Sequence, residues 1–180
     1  VHVEGKVDPA SDIETINLEL IFADLERCEK SIERLSKKAR SGDKATIAIS
    51  DVLKKMAAHL EENLSLRVLE LSEKELELVA NYNFITNKEV IYLANVAEDD
   101  LPEMENDYVK QVREFAATEG APVVTICGQI EEEISQLEPE EATEFLTDLG
   151  LKESGLHRLV KQSFSTLGLI TYLTAGEVEV

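Results

Sequence analysis

The feature that most restricts the fold is a pair of long apolar stripes of helical period, one on either side of a short turn. From about Asp12 to Arg40, the residues Ile13, Ile16, Leu20, Ala23, Cys28, Ile32 and Leu35 recur at steps of three to five. That spacing lines one side of an α-helix. Ser11 followed by Glu14 has the form of a capping box at its start. Ser41-Gly42-Asp43 ends it, because a glycine readily takes the left-handed conformation that closes a helix. A second helix is expected over about Lys44 to Asn63, with Ile47, Val52, Leu53, Met56 and Leu60 apolar. Helices joined by so short a turn run antiparallel. Twenty-eight helical residues rise about 42 Å, so the hairpin is expected to project beyond any compact core.

Downstream the pattern changes. A shorter helix starts at Ser72, with Glu75 completing a capping box, and runs to about Tyr82. Val90-Ile91-Tyr92-Leu93-Ala94 is a continuous apolar run, as expected of a parallel strand buried on both faces. A helix from Pro102 to Thr118 should follow, broken by Gly120-Ala121-Pro122. A second buried strand, Val123 to Cys127, precedes helices over Ile130–Leu137, Pro139–Leu149 and Glu153–Leu167, the last two separated by Gly150 and Gly155. Strand, helix, strand, helix is the order of a parallel α/β sheet. The expected fold class is therefore α/β, a partial parallel sheet with helices, plus an all-α antiparallel hairpin. Two strands are few for a sheet, and the sequence opens on Val1 in β-like residues, so a portion of a longer protein is expected. Ile170 to Val180 is β-like again.

Charge narrows the partners. The formal charge of −19 opposes general affinity for nucleic acid, which needs an excess of Lys and Arg. Residues 1–80 nevertheless hold 12 basic against 17 acidic side chains, while residues 81–180 hold 6 against 20. The basic residues Arg27, Lys30, Arg34, Lys37, Lys38, Arg40 and Lys44 gather around the hairpin turn within eighteen positions. They read either as a solvated helical face or as a basic tip reaching for RNA or protein. With no aromatic interleaved, stacking on single-stranded bases is not expected. No apolar run is long enough to cross a bilayer.

Metal sites find little support. Cys28 and Cys127 are far apart and match no ligand spacing, so both read as free thiols of a reducing compartment, Cys28 as a packed one. His59 with Glu62 offers two ligands only, and a surface histidine is expected. The acidic residues from Glu98 to Asp107, like Glu131-Glu132-Glu133, read as helix-start charge.

Ligands of open parallel sheets sit beyond the carboxyl ends of the strands. Two loops qualify: Asn95-Val96-Ala97-Glu98 and Cys127-Gly128-Gln129-Ile130. Their order and spacing match the paired base-binding loops of P-loop G domains, which carry Asn-Lys-x-Asp and Ser-Ala-Lys. In the guanine pattern the Asp accepts from N1–H and the N2 amine, whereas adenine N1 is itself an acceptor. Here Glu98 stands for Asp and Val96 for Lys. Val96 can cover a base face, and Asn95 offers both a donor and an acceptor to an adenine edge. Taken alone, the tetrapeptide also reads as a polar turn after a strand.

Longer stretches carry a resemblance. Asp12 to Leu20, Asn81-Tyr82-Asn83-Phe84, Tyr92 to Asp100, Val112 to Ala117, Phe145 to Gly150, Glu153-Ser154-Gly155-Leu156 and Thr174-Ala175-Gly176 resemble, in collinear order, the YchF (Obg-like) ATPase family. The resemblance implies a P-loop nucleotidase preferring ATP to GTP, with Mg²⁺, associated with ribosomes in the cytoplasm. It also implies a coiled-coil-like helical insertion and a C-terminal TGS domain. On that pattern residues 1–10 enter the G domain, 11–84 form the insertion, 85–169 complete the G domain and 170–180 begin the TGS domain. Asn95 and Glu98 fall on the family's Asn-x-x-Glu, and Val96 on a position whose backbone contacts adenine. Cys127-Gly128 falls on the second loop, where Cys replaces a small residue such as Ser.

No Gly-x-x-x-x-Gly-Lys-Ser/Thr segment occurs among the eight glycines. The phosphate nest, its Lys and the hydroxyl for Mg²⁺ are therefore lacking. No catalytic residue is assigned, hydrolysis by this chain alone is not expected, and no ATP or Mg²⁺ is expected to stay bound to it. An incomplete sheet exposes an edge, so self-association is an expectation as well. The competing reading is a stand-alone helical interaction module for protein or RNA.

Overall fold

A computed structural model describes residues 7–40 and 42–173, apart from the side chains of residues 37 and 39. The β-like Val1 and Val3, the side chain of Lys37, Ser41 and the segment from Thr174 lie outside the described residues. The chain forms two compact units divided between Lys88 and Glu89.

The first unit is helical. Helix α1 spans Pro9–Arg40 and α2 spans Lys44–Glu61. The expected start of α1 is corrected by one turn: Asp8 accepts the Ser11 N–H on its side chain at 3.3 Å and the Asp12 N–H on its carbonyl at 3.0 Å. Pro9 then opens the helix, where its missing N–H costs nothing, and Ser11 and Glu14 lie inside the helix rather than capping it. Asp43 caps α2, its carboxylate accepting from Thr46 N–H at 3.3 Å and from the Thr46 hydroxyl.

The buried face of α1 is shifted from the expected stripe. Ile21, Asp24, Cys28 and Ser31 are buried, with Leu25, Ile32 and Leu35 packed beside them, whereas Ile16 is 54% exposed. Leu53, Met56 and Leu60 of α2 are fully buried against this face. Each such side chain contributes about 1.5–3 kcal/mol. A turn of 3₁₀ helix, Leu66–Val68, leads to α3, Glu73–Val79. Ser72 and Glu75 form the capping box read from the sequence. The Ser72 backbone N–H, then its hydroxyl and Lys55, hold the Glu75 carboxyl down to about 2. The helix expected to reach Tyr82 instead tightens into 3₁₀ geometry over Ala80–Tyr82.

The second unit carries the sheet. Strands β1, Tyr92–Asn95, and β2, Val123–Ile126, are parallel, with Tyr92 opposite Val123 and Asn95 opposite Ile126. Helix α4, Asp107–Glu119, connects them, followed by α5, Gly128–Ile134, α6, Pro139–Asp148, and α7, Gly155–Thr166. Burial of β1 on both faces is corrected: Tyr92 and Ala94 are half-buried and Leu93 is 49% exposed. Tyr92 packs edge-on against Phe115 of α4, which covers one face. Helix α4 also starts later than expected. Asn106 caps it by accepting the Val109 N–H at 2.9 Å, and Glu98–Asp100 form a separate 3₁₀ turn. Of the acidic cluster, only Asp107 occupies the first turn of α4.

Candidate nucleotide-base site

Because β1 and β2 are parallel neighbours in register, their carboxyl ends lie side by side and so do the loops that leave them. Asn95 closes β1, and its Oδ1 accepts the backbone N–H of Gly128, the first residue after the β2–α5 junction, at 2.9 Å. The Val96 N–H donates to the Ile126 carbonyl at 2.8 Å. Gln129 Nε2 donates to Glu98 Oε2 at 3.3 Å. Asn95, Glu98, Gly128 and Gln129 are all exposed. One small surface thus carries a carboxamide, a carboxylate and a second carboxamide. A Cβ at position 128 would stand 3.3 Å from Asn95 Oδ1, a close approach that a glycine leaves open.

Two of the expected contacts take a different form. Val96 is 7% exposed and its side chain packs with Met104, Val109, Cys127 and Ile130. It therefore faces the core and cannot cover a base. Cys127 is buried in the same cluster, so its thiol supports the loop from beneath. Gln129 joins this candidate surface through Glu98; its place directly after Gly128 is the one signal for it in the sequence.

The basic residues of the hairpin divide. Arg27 reaches across to the 3₁₀ turn, donating to the carbonyls of Tyr82 at 2.6 Å and Asn83 at 3.1 Å. Lys30 pairs with Glu26 one turn back at 2.5 Å. Arg34, Lys38, Arg40 and Lys44 are exposed around the turn. His59 is half-buried rather than on the surface, its Nε2 lying 3.0 Å from the Ser65 carbonyl. Among the described residues no group of three or more His, Cys, Asp or Glu side chains converges on a point. No described helix is long and apolar enough to cross a membrane.

A two-stranded parallel sheet with adjoining loops at its carboxyl end, together with a helical hairpin, matches a partial P-loop G-domain fold with an all-α insertion. The comparisons agree on the family. The chain is 48% identical to the ribosome-binding ATPase YchF of Bacillus subtilis over 99% of its length, and 47% identical to that of Haemophilus influenzae over 100%. The solved structure of the Schizosaccharomyces pombe YchF GTPase superposes with a TM-score of 0.82 at 29% identity, covering 98% of this chain and 49% of that one. No family model matches the chain. The chain belongs to the YchF family, and it spans about half the length (49%) of the curated relatives it matches.

Proposed function

We propose that this chain is the base-recognition and helical-hairpin portion of a ribosome-associated nucleotidase of the cytoplasm that prefers ATP to GTP. The observation that carries the reading is the 2.9 Å hydrogen bond from Gly128 N–H to Asn95 Oδ1, which fastens the two loops into one surface. With Oδ1 committed, the Asn95 Nδ2 amine remains to donate to a ring nitrogen of the base. With the Val96 N–H committed to Ile126, the Val96 carbonyl supplies the next contact, and Gln129 holds Glu98 beside it. Phosphates and Mg²⁺ are bound by residues outside this chain. The chain alone therefore binds ATP weakly and does not turn it over, because phosphate contacts dominate nucleotide affinity in such sites.

The names of the relatives support the ribosome as partner, and the exposed Arg34, Lys38, Arg40 and Lys44 supply the charge to meet RNA or an acidic protein surface. The test is Asn95→Ala in the full-length protein that carries this segment. ATP affinity should fall about tenfold, the equivalent of about 1.4 kcal/mol. Unchanged affinity would leave Asn95 to Glu98 a plain turn, and the hairpin of a stand-alone interaction module would become the functional part.

A further inference from the structure

The two loops are braced from behind by the amino end of α7. Glu131, one turn into α5, accepts the backbone N–H of Gly155 at 2.6 Å and that of Leu156 at 3.2 Å. Gly155 is buried, and a Cβ there would stand 2.7 Å from Ile126 Cγ1 and 3.1 Å from Glu131 Oε1. Ile126 is the residue whose carbonyl receives the Val96 N–H. One turn further along α7, Arg158 donates to the Thr125 carbonyl of β2 at 3.0 Å. The end of β2 and the start of α5 are thus held against one helix end at three points. A carboxylate suits that place, since a helix amino terminus carries partial positive charge and unpaired N–H groups.

We propose that Glu131 is a positioning residue for base recognition. By anchoring α5 to α7 it fixes where the Gly128 N–H points, and that N–H in turn orients the Asn95 side chain. The inference rests on the reading of Asn95 as a base contact. Cys127, at the head of α5, contributes no side-chain cap of its own, so the α5 start depends on Asn95 on one side and on Glu131 on the other. Glu131 touches no nucleotide; it acts through Gly128.

The experiment compares ATP with inorganic tripolyphosphate, which has phosphates but no base, by calorimetric titration of the full-length protein. Glu131→Ala should weaken ATP about tenfold and leave tripolyphosphate unchanged. Glu131→Gln, which can accept one N–H but has no charge, should fall between Ala and the parent. If Asn95→Ala weakens ATP but Glu131→Ala does not, the positioning role is wrong while the base site stands. Unchanged ATP binding by Asn95→Ala overturns the base site and this inference with it. Equal weakening of both ligands by Glu131→Ala would make the residue a cap for the fold as a whole, and the proposal would fail. Should Glu131→Ala not fold, Glu131→Gln is judged by the same comparison: weaker ATP with unchanged tripolyphosphate supports the role, and any other result overturns it.

Discussion

Asp24, midway along α1, accepts the backbone N–H of Thr86 at 2.7 Å and its hydroxyl at 2.8 Å, across sixty-two residues of chain. A third bond comes from the Ile85 N–H at 3.0 Å. Thr86 passes the connection on, its Oγ1 accepting the Leu66 N–H at 3.2 Å and its carbonyl the Arg67 N–H at 2.9 Å. Asp24 and Thr86 are each 1% exposed. A buried carboxylate is tolerated only with its acceptor sites filled, and here three donors fill them.

Asp24→Ala removes the acceptor and leaves the buried N–H and hydroxyl of Thr86, and the part-buried N–H of Ile85, without one. The loss should be about 3 kcal/mol of the stability of the helical unit, since bonds to charged groups and orphaned donors each count for about 1–3 kcal/mol. Urea unfolding followed by far-UV circular dichroism measures it. A midpoint within error of the parent would show that Asp24 is not a fastening.

Arg27 and Arg34 should behave as opposites although both belong to the basic cluster. Arg27→Ala strips two carbonyls of their donor and should cost about 2 kcal/mol in the same unfolding experiment. Arg34→Ala should leave stability alone and, under the proposed function, weaken ribosome cosedimentation of the full-length protein, with the loss shrinking as salt is raised. Equal stability for the two variants would contradict the division.

Burial, with the charges of Asp24 and Glu29 adding to it, pushes the Cys28 thiol up to about 12. At pH 8 its thiolate fraction is on the order of 10⁻⁴, so the native protein should resist an alkylating or disulfide reagent at this site until it unfolds. The unfolded chain gives up this proton near pH 9 and the folded chain keeps it to about 12, so the thiol's contribution is complete below pH 9 and is lost as pH rises through that window. Rapid labelling of Cys28 at pH 8, read by peptide mass, would contradict its burial.

Gln129→Glu would set a second carboxylate against Glu98. An exposed contact of this kind is worth about 0.4–1 kcal/mol, so ATP binding by the full-length protein should weaken about twofold to fivefold at low salt and recover at high salt. A salt-independent loss would mean that the substitution acts on the fold and not on the Glu98 charge.

Local devices were legible because their signal is local. Ser72 and Glu75 stand at the separation a capping box needs, and Gly42, with a φ of 84°, closes the turn after α1 as its position foretold. The apolar runs of β1 and β2 named the strands, and the loops after them followed from parallel topology. Asp24 was illegible: in the sequence it is only a gap in an apolar stripe, because its partners lie sixty-one and sixty-two residues away. Glu131 was hidden in the same manner. As one of three consecutive glutamates it resembles solvated charge, and only the return of the chain at Gly155 gives it a task. The inward side chain of Val96 was misread because a four-residue pattern says nothing about which way a loop residue turns.

The length of α1 has a mechanical consequence. From Asp24 to Arg40 the helix rises about 24 Å, so a tilt of about 5° at the Asp24 fastening carries the hairpin turn about 2 Å sideways. Because Leu53, Met56 and Leu60 of α2 share a core with Cys28, Ile32 and Leu35 of α1, such a tilt would carry both helices together and displace Arg34, Lys38 and Arg40 farther than Asp24 itself.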